Sequence, residues 1–169
     1  GLINQNQCKE CPSGRIGIID SAVSNVTCKK CDSGKFKTSV NACSQCPPGR
    51  ISSGIQCFIC PKGKYSDSYQ LNCELCPVGK YIEFEGAPSE NDCILCGTGR
   101  FSNSSGATNK ESCYMCYSGK YNINLGSVSS ESCKKCEAGK FNKDHGNDKC
   151  TDCPFGFFSY VKSIKCEIC

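Results

Sequence analysis

The sequence predicts a small disulfide-rich protein, irregular and with short β-hairpins, laid out as an elongated tandem-repeat ribbon with no large hydrophobic core. Three observations predict it. Cysteine supplies 20 of the 169 residues, about 12% and above the roughly 8–10% at which a short chain reads as a disulfide scaffold. Every one of those cysteines belongs to a C-x-x-C pair. Large apolar residues are scarce, with tryptophan absent and a single methionine. The hydrophobic share of 38% falls to about 26% once the cysteines are set aside, too little to offset the ordering entropy by burying a core.

The pairs are Cys8/Cys11, Cys28/Cys31, Cys43/Cys46, Cys57/Cys60, Cys73/Cys76, Cys93/Cys96, Cys113/Cys116, Cys133/Cys136, Cys150/Cys153 and Cys166/Cys169, separated by 16, 11, 10, 12, 16, 16, 16, 13 and 12 residues. Regular but adjustable spacing means tandem repeats, about nine of them across residues 1–169. After each pair but the last, the chain continues x-x-Gly, then usually a cation, then Ile, Phe or Tyr: CPSGRI, CDSGKF, CPPGRI, CPKGKY, CPVGKY, CGTGRF, CYSGKY, CEAGKF and CPFGFF. Pro-x-Gly suits a tight turn, with proline fixing φ and glycine adopting a conformation other residues resist. The bulky residue then suits the start of a short strand. A loop rich in Ser, Asn and Gly leads to the next cysteine, as in FSNSSGATNKESC. No stretch has convincing helical periodicity, and no shift in composition marks a domain boundary. Repeat arrays carry atypical terminal units; none is evident, so the array is expected to continue or to meet a partner at its ends, and the opening Gly1 reads as a processed product or a fragment of a longer assembly.

Composition also excludes. No apolar run of 18 residues exists, so nothing in this segment spans a membrane as a helix. The net charge of +4 is mild and spread along the chain, which argues against nucleic acid as a partner. With His145 as the one histidine, and no nucleophile or carboxylate constellation, an enzyme is not expected.

Twenty cysteines admit three uses. Disulfides need an oxidising compartment. Zinc fits the C-x2-C-x16-C-x2-C spacing of Cys8/Cys11 with Cys28/Cys31, but would require five metals in a chain of variable loops, and only CILCG resembles a zinc knuckle. Redox catalysis by C-x-x-C needs a strand–helix context that is missing. The disulfide reading leads, with no metal and no cofactor expected. Within it, two pairing schemes are natural. One bonds the second cysteine of each pair to the first of the next: Cys11–Cys28, Cys31–Cys43, Cys46–Cys57, Cys60–Cys73, Cys76–Cys93, Cys96–Cys113, Cys116–Cys133, Cys136–Cys150 and Cys153–Cys166. Cys8 and Cys169 are then left for intermolecular or external pairing. The other crosses two neighbouring pairs, as in Cys8–Cys28 with Cys11–Cys31, and uses all twenty. A motif that recurs without alternation favours the first, and the second stays open. Closing a loop of this length contributes on the order of 3 kcal/mol per bond.

The repeated C-x-x-C-P-x-G-[KR]-[YF]-S…C pattern resembles the ephrin-receptor-like cysteine-rich repeats, and is similar to the simplest loop module of tumour-necrosis-factor-receptor ectodomains. CPKGKYSDSYQLNC, residues 60–73, carries the likeness best, and the likeness covers essentially the whole chain. It implies an elongated, extracellular, non-enzymatic ribbon in which the cysteine before each Gly-Lys-Tyr turn closes onto the next cysteine. CDSGKF, CGTGRF, CYSGKY and CEAGKF depart from it in lacking the proline, and CPFGFF in lacking the cation.

Candidate functional features follow. Ile16, Phe36, Ile51, Tyr65, Tyr81, Phe101, Tyr121, Phe141 and Phe157 are expected to cover the disulfides, or else to form a stacked face. Arg15, Lys35, Arg50, Lys64, Lys80, Arg100, Lys120 and Lys140 form a basic stripe towards acidic glycans if the repeats stack in register. Phe58, Ile59, Leu75, Ile94, Leu95, Tyr114 and Met115, inside the central C-x-x-C pairs, are a possible interface, since exposed apolar patches tend to be contact sites. Asn25-Val-Thr and Asn103-Ser-Ser are glycosylation sequons. Residues 142–148 collect oxygen ligands around Gly146 but lack the bidentate glutamate of a calcium loop, so a surface turn is expected. The expected role is an extracellular or cell-surface structural repeat protein, associating with itself end to end and laterally into a rod or filament, with Cys169 bonded to Cys8 of the next copy, or with other surface proteins. The alternative is a ligand-binding or spacer ectodomain of a receptor or adhesion protein.

Overall fold

A computed structural model describes residues 11–20, 25–39, 42–68 and 70–169. Among them the chain forms nine two-stranded antiparallel hairpins, one per repeat, which do not join into a larger sheet. In order they pair Arg15–Asp20 with Asn25–Lys30, Lys35–Ser39 with Ala42–Gln45, Arg50–Ser52 with Cys57–Ile59, Lys64–Tyr65 with Glu74–Leu75, and Lys80–Tyr81 with Ile94–Leu95. Arg100–Phe101 with Tyr114–Met115, Lys120–Tyr121 with Lys134–Lys135, Lys140–Phe141 with Thr151–Asp152, and Phe157–Phe158 with Glu167–Ile168 complete the series. Among the described residues helix is confined to three-residue 3-10 turns at Glu90–Asp92, Lys110–Ser112 and Ser130–Ser132, in the long loops of the fifth to seventh repeats.

Each hairpin begins in the x-x-Gly turn. The Pro12 carbonyl accepts from Arg15 N–H at 3.1 Å, and Pro77 and Pro154 do the same for Lys80 and Phe157. Proline thus occupies the first corner, not the second, and its fixed φ is not one of the turn's two central angles, contrary to the sequence expectation. What that corner must supply is a carbonyl. Asp32, Tyr117 and Glu137 supply one equally to Lys35, Lys120 and Lys140, which is why the repeats without proline keep the turn. The glycine is the third corner, with φ between 71° and 84° at all nine turns. That is the left-handed value a type II turn demands there.

Sulfur closes the hairpins. The disulfides are Cys11–Cys28, Cys31–Cys43, Cys46–Cys57, Cys60–Cys73, Cys76–Cys93, Cys96–Cys113, Cys116–Cys133, Cys136–Cys150 and Cys153–Cys166. Each joins the cysteine ahead of a turn to the first cysteine of the following pair. The second cysteine of that pair then donates its backbone N–H to the turn glycine's carbonyl, as Cys96 does to Gly79 and Cys116 to Gly99, both at 2.8 Å. A C-x-x-C pair therefore ends one hairpin and starts the next.

By compactness the chain divides into two units. One reaches to Pro61 and adds Tyr65–Glu74 and Gly86–Ser89; the other holds Lys62–Lys64, Leu75–Glu85 and Glu90–Cys169. The same stacking rule operates inside each. In the second unit, Gly79, Gly99, Gly119 and Gly139 donate their N–H to the carbonyls of Ser102, Asn122, Asn142 and Ser159, each three residues past the next turn glycine. A second glycine, seven residues past the turn glycine, donates back: Gly106 to Cys76, Gly126 to Cys96 and Gly146 to Cys116, each at 2.8 Å. In the first unit Gly49 donates to Ser66 at 2.7 Å and Gly86 to Cys60 at 2.7 Å.

What is buried is therefore mostly sulfur and small side chains. Cys60, Cys76, Cys96, Cys113, Cys116 and Cys136 are fully buried, with Ile82, Ser66, Ser102 and Asn122. The buried polar groups are satisfied, as burial requires. Asn122 Nδ2 donates to Arg100 O at 3.1 Å and to Ser127 Oγ at 2.8 Å, Asn142 Nδ2 to Lys120 O at 2.8 Å, and Ser159 Oγ to Lys140 O at 2.9 Å. In the first unit Ser52 Oγ donates to Lys35 O at 2.6 Å. In the third, fourth, seventh, eighth and ninth repeats a hydrogen-bonding side chain thus grips the preceding hairpin at the carbonyl of its cation, whereas Ile82 holds that place in the fifth and Ser102 Oγ bonds Ser104 O in the sixth.

Candidate surface groove on the sixth to eighth hairpins

The residues inside the C-x-x-C pairs divide by strand alternation. The first faces the aromatic column across the hairpin: Phe58 opposes Ile51, Ile94 opposes Tyr81, and Tyr114 opposes Phe101 with ring centroids 5.8 Å apart. The second opposes the cation and rests against the second glycine two repeats further on. A Cβ added to Gly86 would meet Ile59 at 3.0 Å, and one on Gly146 would meet Met115 Sδ at 3.2 Å. Leu75 lies still closer over Gly106, and Leu95 over Gly126. In the ninth repeat Lys162, at φ 69°, takes the place of this glycine. The corresponding C-x-x-C residue two hairpins back is then Lys135, a polar side chain. Ile59, Leu75, Leu95 and Met115 thus have a structural task, yet all seven candidates stay between 44% and 55% exposed, so packing consumes only half of each.

In the second unit this half-exposed surface deepens into an open groove of about 650 Å³, lined by Phe101, Asn103, Tyr114, Met115, Tyr117, Ser130 and His145. Tyr117 meets the His145 ring edge to face at 5.6 Å, and the His145 Nδ1 accepts the Ser118 N–H at 3.0 Å. Those contacts fix one wall of the groove. Asn103, which also lines the groove, stands in the loop from Ser102 to Gly106, held at both ends by Ser102 N–H on Ser127 O at 2.9 Å and Gly106 N–H on Cys76 O. Sequence reasoning passed over Tyr117 and took His145 only as evidence against catalysis; neither has a counterpart at its place in the other repeats, so no periodicity marks them.

The remaining candidates fall as follows. The covering column is half-buried from Ile16 to Phe141, with Tyr65 buried. In the ninth repeat register corrects the expectation: Phe157 takes the cation's place and is 41% exposed, and Phe158 is the column's member. The basic stripe is largely spoken for. Arg15 and Arg100 donate to the carbonyls of Cys28 and Cys113, while Lys35, Lys80 and Lys140 pair with Asp32, Glu90 and Asp152 at 3.6, 2.8 and 2.9 Å. Residues 142–148 form a loop in which Asn147 Nδ2 donates to Asn142 Oδ1 and to Asp144 O. Cys93 and Cys96 of CILCG are disulfide-bonded, and among the described residues no group of three or more His, Cys, Asp or Glu is placed to hold a metal. Cys169 is an exposed thiol whose N–H caps the ninth hairpin on Gly156 O at 3.1 Å, while Cys8 lies outside the described residues. Asn103 is exposed; Asn25 lies in a strand, its side chain outside the description.

Lys140 supplies a pH signature. Its hydrogen bond to Asp152, then the attraction of that carboxylate, raise its pKa above the usual 10.5. A raised lysine pKa stabilises the folded state below the unfolded value, and that contribution is lost as pH rises past the folded one. At neutral pH it is fully present. Asp152→Asn is expected to bring the Lys140 titration back down towards its ordinary value, read by NMR of the side chain, with little change in folding because the pair is exposed.

Residues 49–93 and 63–113 match the family model described as tyrosine-protein kinase ephrin type A/B receptor-like. No curated protein matches the chain. The matched residues run from the third turn glycine to the end of the sixth hairpin's loop, and the hairpin, disulfide and glycine contacts described above repeat through them and past them. Over residues 49–113 the chain is thus similar to ephrin-receptor-like cysteine-rich repeats, and the nine disulfides in tandem carry the same hairpin pattern to either side of the matched segment.

Proposed function

We propose that this chain is a non-catalytic extracellular segment of a receptor or adhesion ectodomain, in which covalently closed repeats act as a spacer that presents surface features to a partner. The observation that carries the reading is the family match on a chain whose nine disulfides close successive hairpins. Such bonds persist only in an oxidising compartment. The repeat type is found on receptor ectodomains, and folds of this kind hold position without supplying a catalytic set. Directing the chain through the secretory pathway of cultured eukaryotic cells, followed by disulfide mapping, tests it. Secreted monomer with the nine bonds formed supports the reading; cytosolic retention with free thiols overturns it.

A fibre-forming subunit is the second reading, favoured by the exposed Phe155, Tyr160 and Ile168 of the ninth repeat. It predicts concentration-dependent oligomers in sedimentation, and a series of bands on non-reducing electrophoresis if Cys169 bonds Cys8 of another copy. The ectodomain reading predicts a single monomer species in both.

A further inference from the structure

We propose that Asn103 carries an N-linked glycan and that this glycan lies in the groove walled by Phe101, Tyr114, Met115, Tyr117 and His145, so that the chain's own carbohydrate covers an aromatic recess. The inference rests on the extracellular reading, since the modification needs the secretory route. Asn103-Ser104-Ser105 is an acceptor sequon, and Asn103 is exposed. It also lines the groove, so an oligosaccharide attached there begins at the groove's rim. In forming it, the Asn103 amide nitrogen bonds the anomeric carbon of the first N-acetylglucosamine. The bond from that carbon to the pyrophosphate of a lipid-linked oligosaccharide donor breaks, the lipid pyrophosphate leaves with the electron pair, and the amide gives up a proton.

Position and chemistry point the sugar inward. The Asn103 loop is pinned at Ser102 and Gly106, so the first residue of the glycan starts from a fixed place and little freedom is lost when it docks. The recess walls are held by the Tyr117–His145 contact and the Ser118–His145 hydrogen bond. Tyr114, Met115 and Tyr117 remain 55%, 47% and 73% exposed. Aromatic rings with one polar tip suit the mixed apolar and hydroxyl faces of a sugar. Left bare, an apolar recess of this size on a secreted protein is a liability for association. Its volume lies within the range of small-ligand sites.

Met115, the chain's one methionine, makes the proposal testable. Protein secreted from eukaryotic cells is mapped for disulfides and for occupancy at Asn103, and then treated with dilute hydrogen peroxide before and after enzymatic removal of N-glycans. The expected result is an occupied Asn103 and several-fold faster Met115 sulfoxide formation once the glycan is gone, with Asn103→Gln oxidising at the fast rate throughout. Secreted, fully disulfide-bonded protein with bare Asn103 overturns the glycan while leaving the extracellular reading intact. An occupied Asn103 with an unchanged oxidation rate overturns the docking. Retained protein with free thiols overturns the extracellular reading and this inference with it.

Discussion

Gly99→Ala is expected to uncouple the sixth, seventh and eighth hairpins, with a local loss of about 4 kcal/mol. Two costs combine. The turn holds Gly99 at φ 71°, a left-handed angle that costs an L-residue about 1–2 kcal/mol. More important, an added Cβ would run into the carbonyl oxygen and carbon of Gly146, two repeats on. That neighbour is backbone and cannot rotate away. The Gly146 loop would have to withdraw, taking with it the Gly146 N–H bond to Cys116 O, the contact of Met115 on Gly146, and the Asn122 N–H bond to Asn147 O at 3.1 Å. Hydrogen exchange with the disulfides intact reads this directly, as lost protection at Gly146 and Asn122. Gly139→Ala is the control. Its φ is similar, at 83°, but nothing lies within 4 Å of the added Cβ, so the conformational cost of about 1–2 kcal/mol stands alone. Equal effects from the two substitutions would mean that contact between alternate repeats contributes nothing.

The second large effect is removal of one internal bond. Cys96→Ala with Cys113→Ala opens a link of sequence separation 17, worth on the order of 3 kcal/mol by the chain-entropy model. Both positions are essentially fully buried, so the missing sulfurs leave a cavity that adds about 1 kcal/mol. Because the sixth repeat touches the seventh through Gly99 and Asn122 and the eighth through Met115 and Gly146, the loss is expected to spread to those hairpins and not stay in the sixth. Cys153→Ala with Cys166→Ala, where the cysteines are only half-buried, should weaken the ninth hairpin alone. Resistance to limited proteolysis with peptide mapping distinguishes the two patterns; identical, purely local cleavage in both variants would contradict the coupling.

The individual repeat was legible in the chain because its determinants are local. A paired cysteine, an x-x-Gly turn and one bulky residue each act within a few positions, and nine copies make the pattern plain. Two misreadings are also local: the fixed φ of proline is credited with shaping a turn in which proline supplies only the first carbonyl, and Phe157 is counted in a column that belongs to Phe158. The coupling between repeats went unread although its residues are visible. Gly86, Gly106, Gly126 and Gly146 each stand seven places after a turn glycine, and Ser66, Ser102, Asn122, Asn142 and Ser159 recur three places after one. Small polar residues and glycine in a loop read as solvated filler when taken singly. Only the stacked backbone shows that they approach it closely and bond to it. The candidate interface was half legible for the same reason: alternation along the strand sends Ile59, Leu75, Leu95 and Met115 onto a glycine two repeats away, a partner no local pattern names. The groove itself depends on Tyr117 and His145, which occur once each at their places.

The measurement that bears most directly on the whole account compares native protein with the same protein fully reduced and alkylated, at neutral pH without denaturant, by proton–nitrogen NMR and amide exchange. With so few large side chains buried and the core made largely of cysteine, sulfur bonds are what hold the hairpins and their stacking. The account predicts that the alkylated chain loses shift dispersion and exchange protection through all nine hairpins together. Dispersed resonances and surviving protection at the amides of Cys96, Cys116 and Gly126 after alkylation would show that packing holds the fold without the bonds.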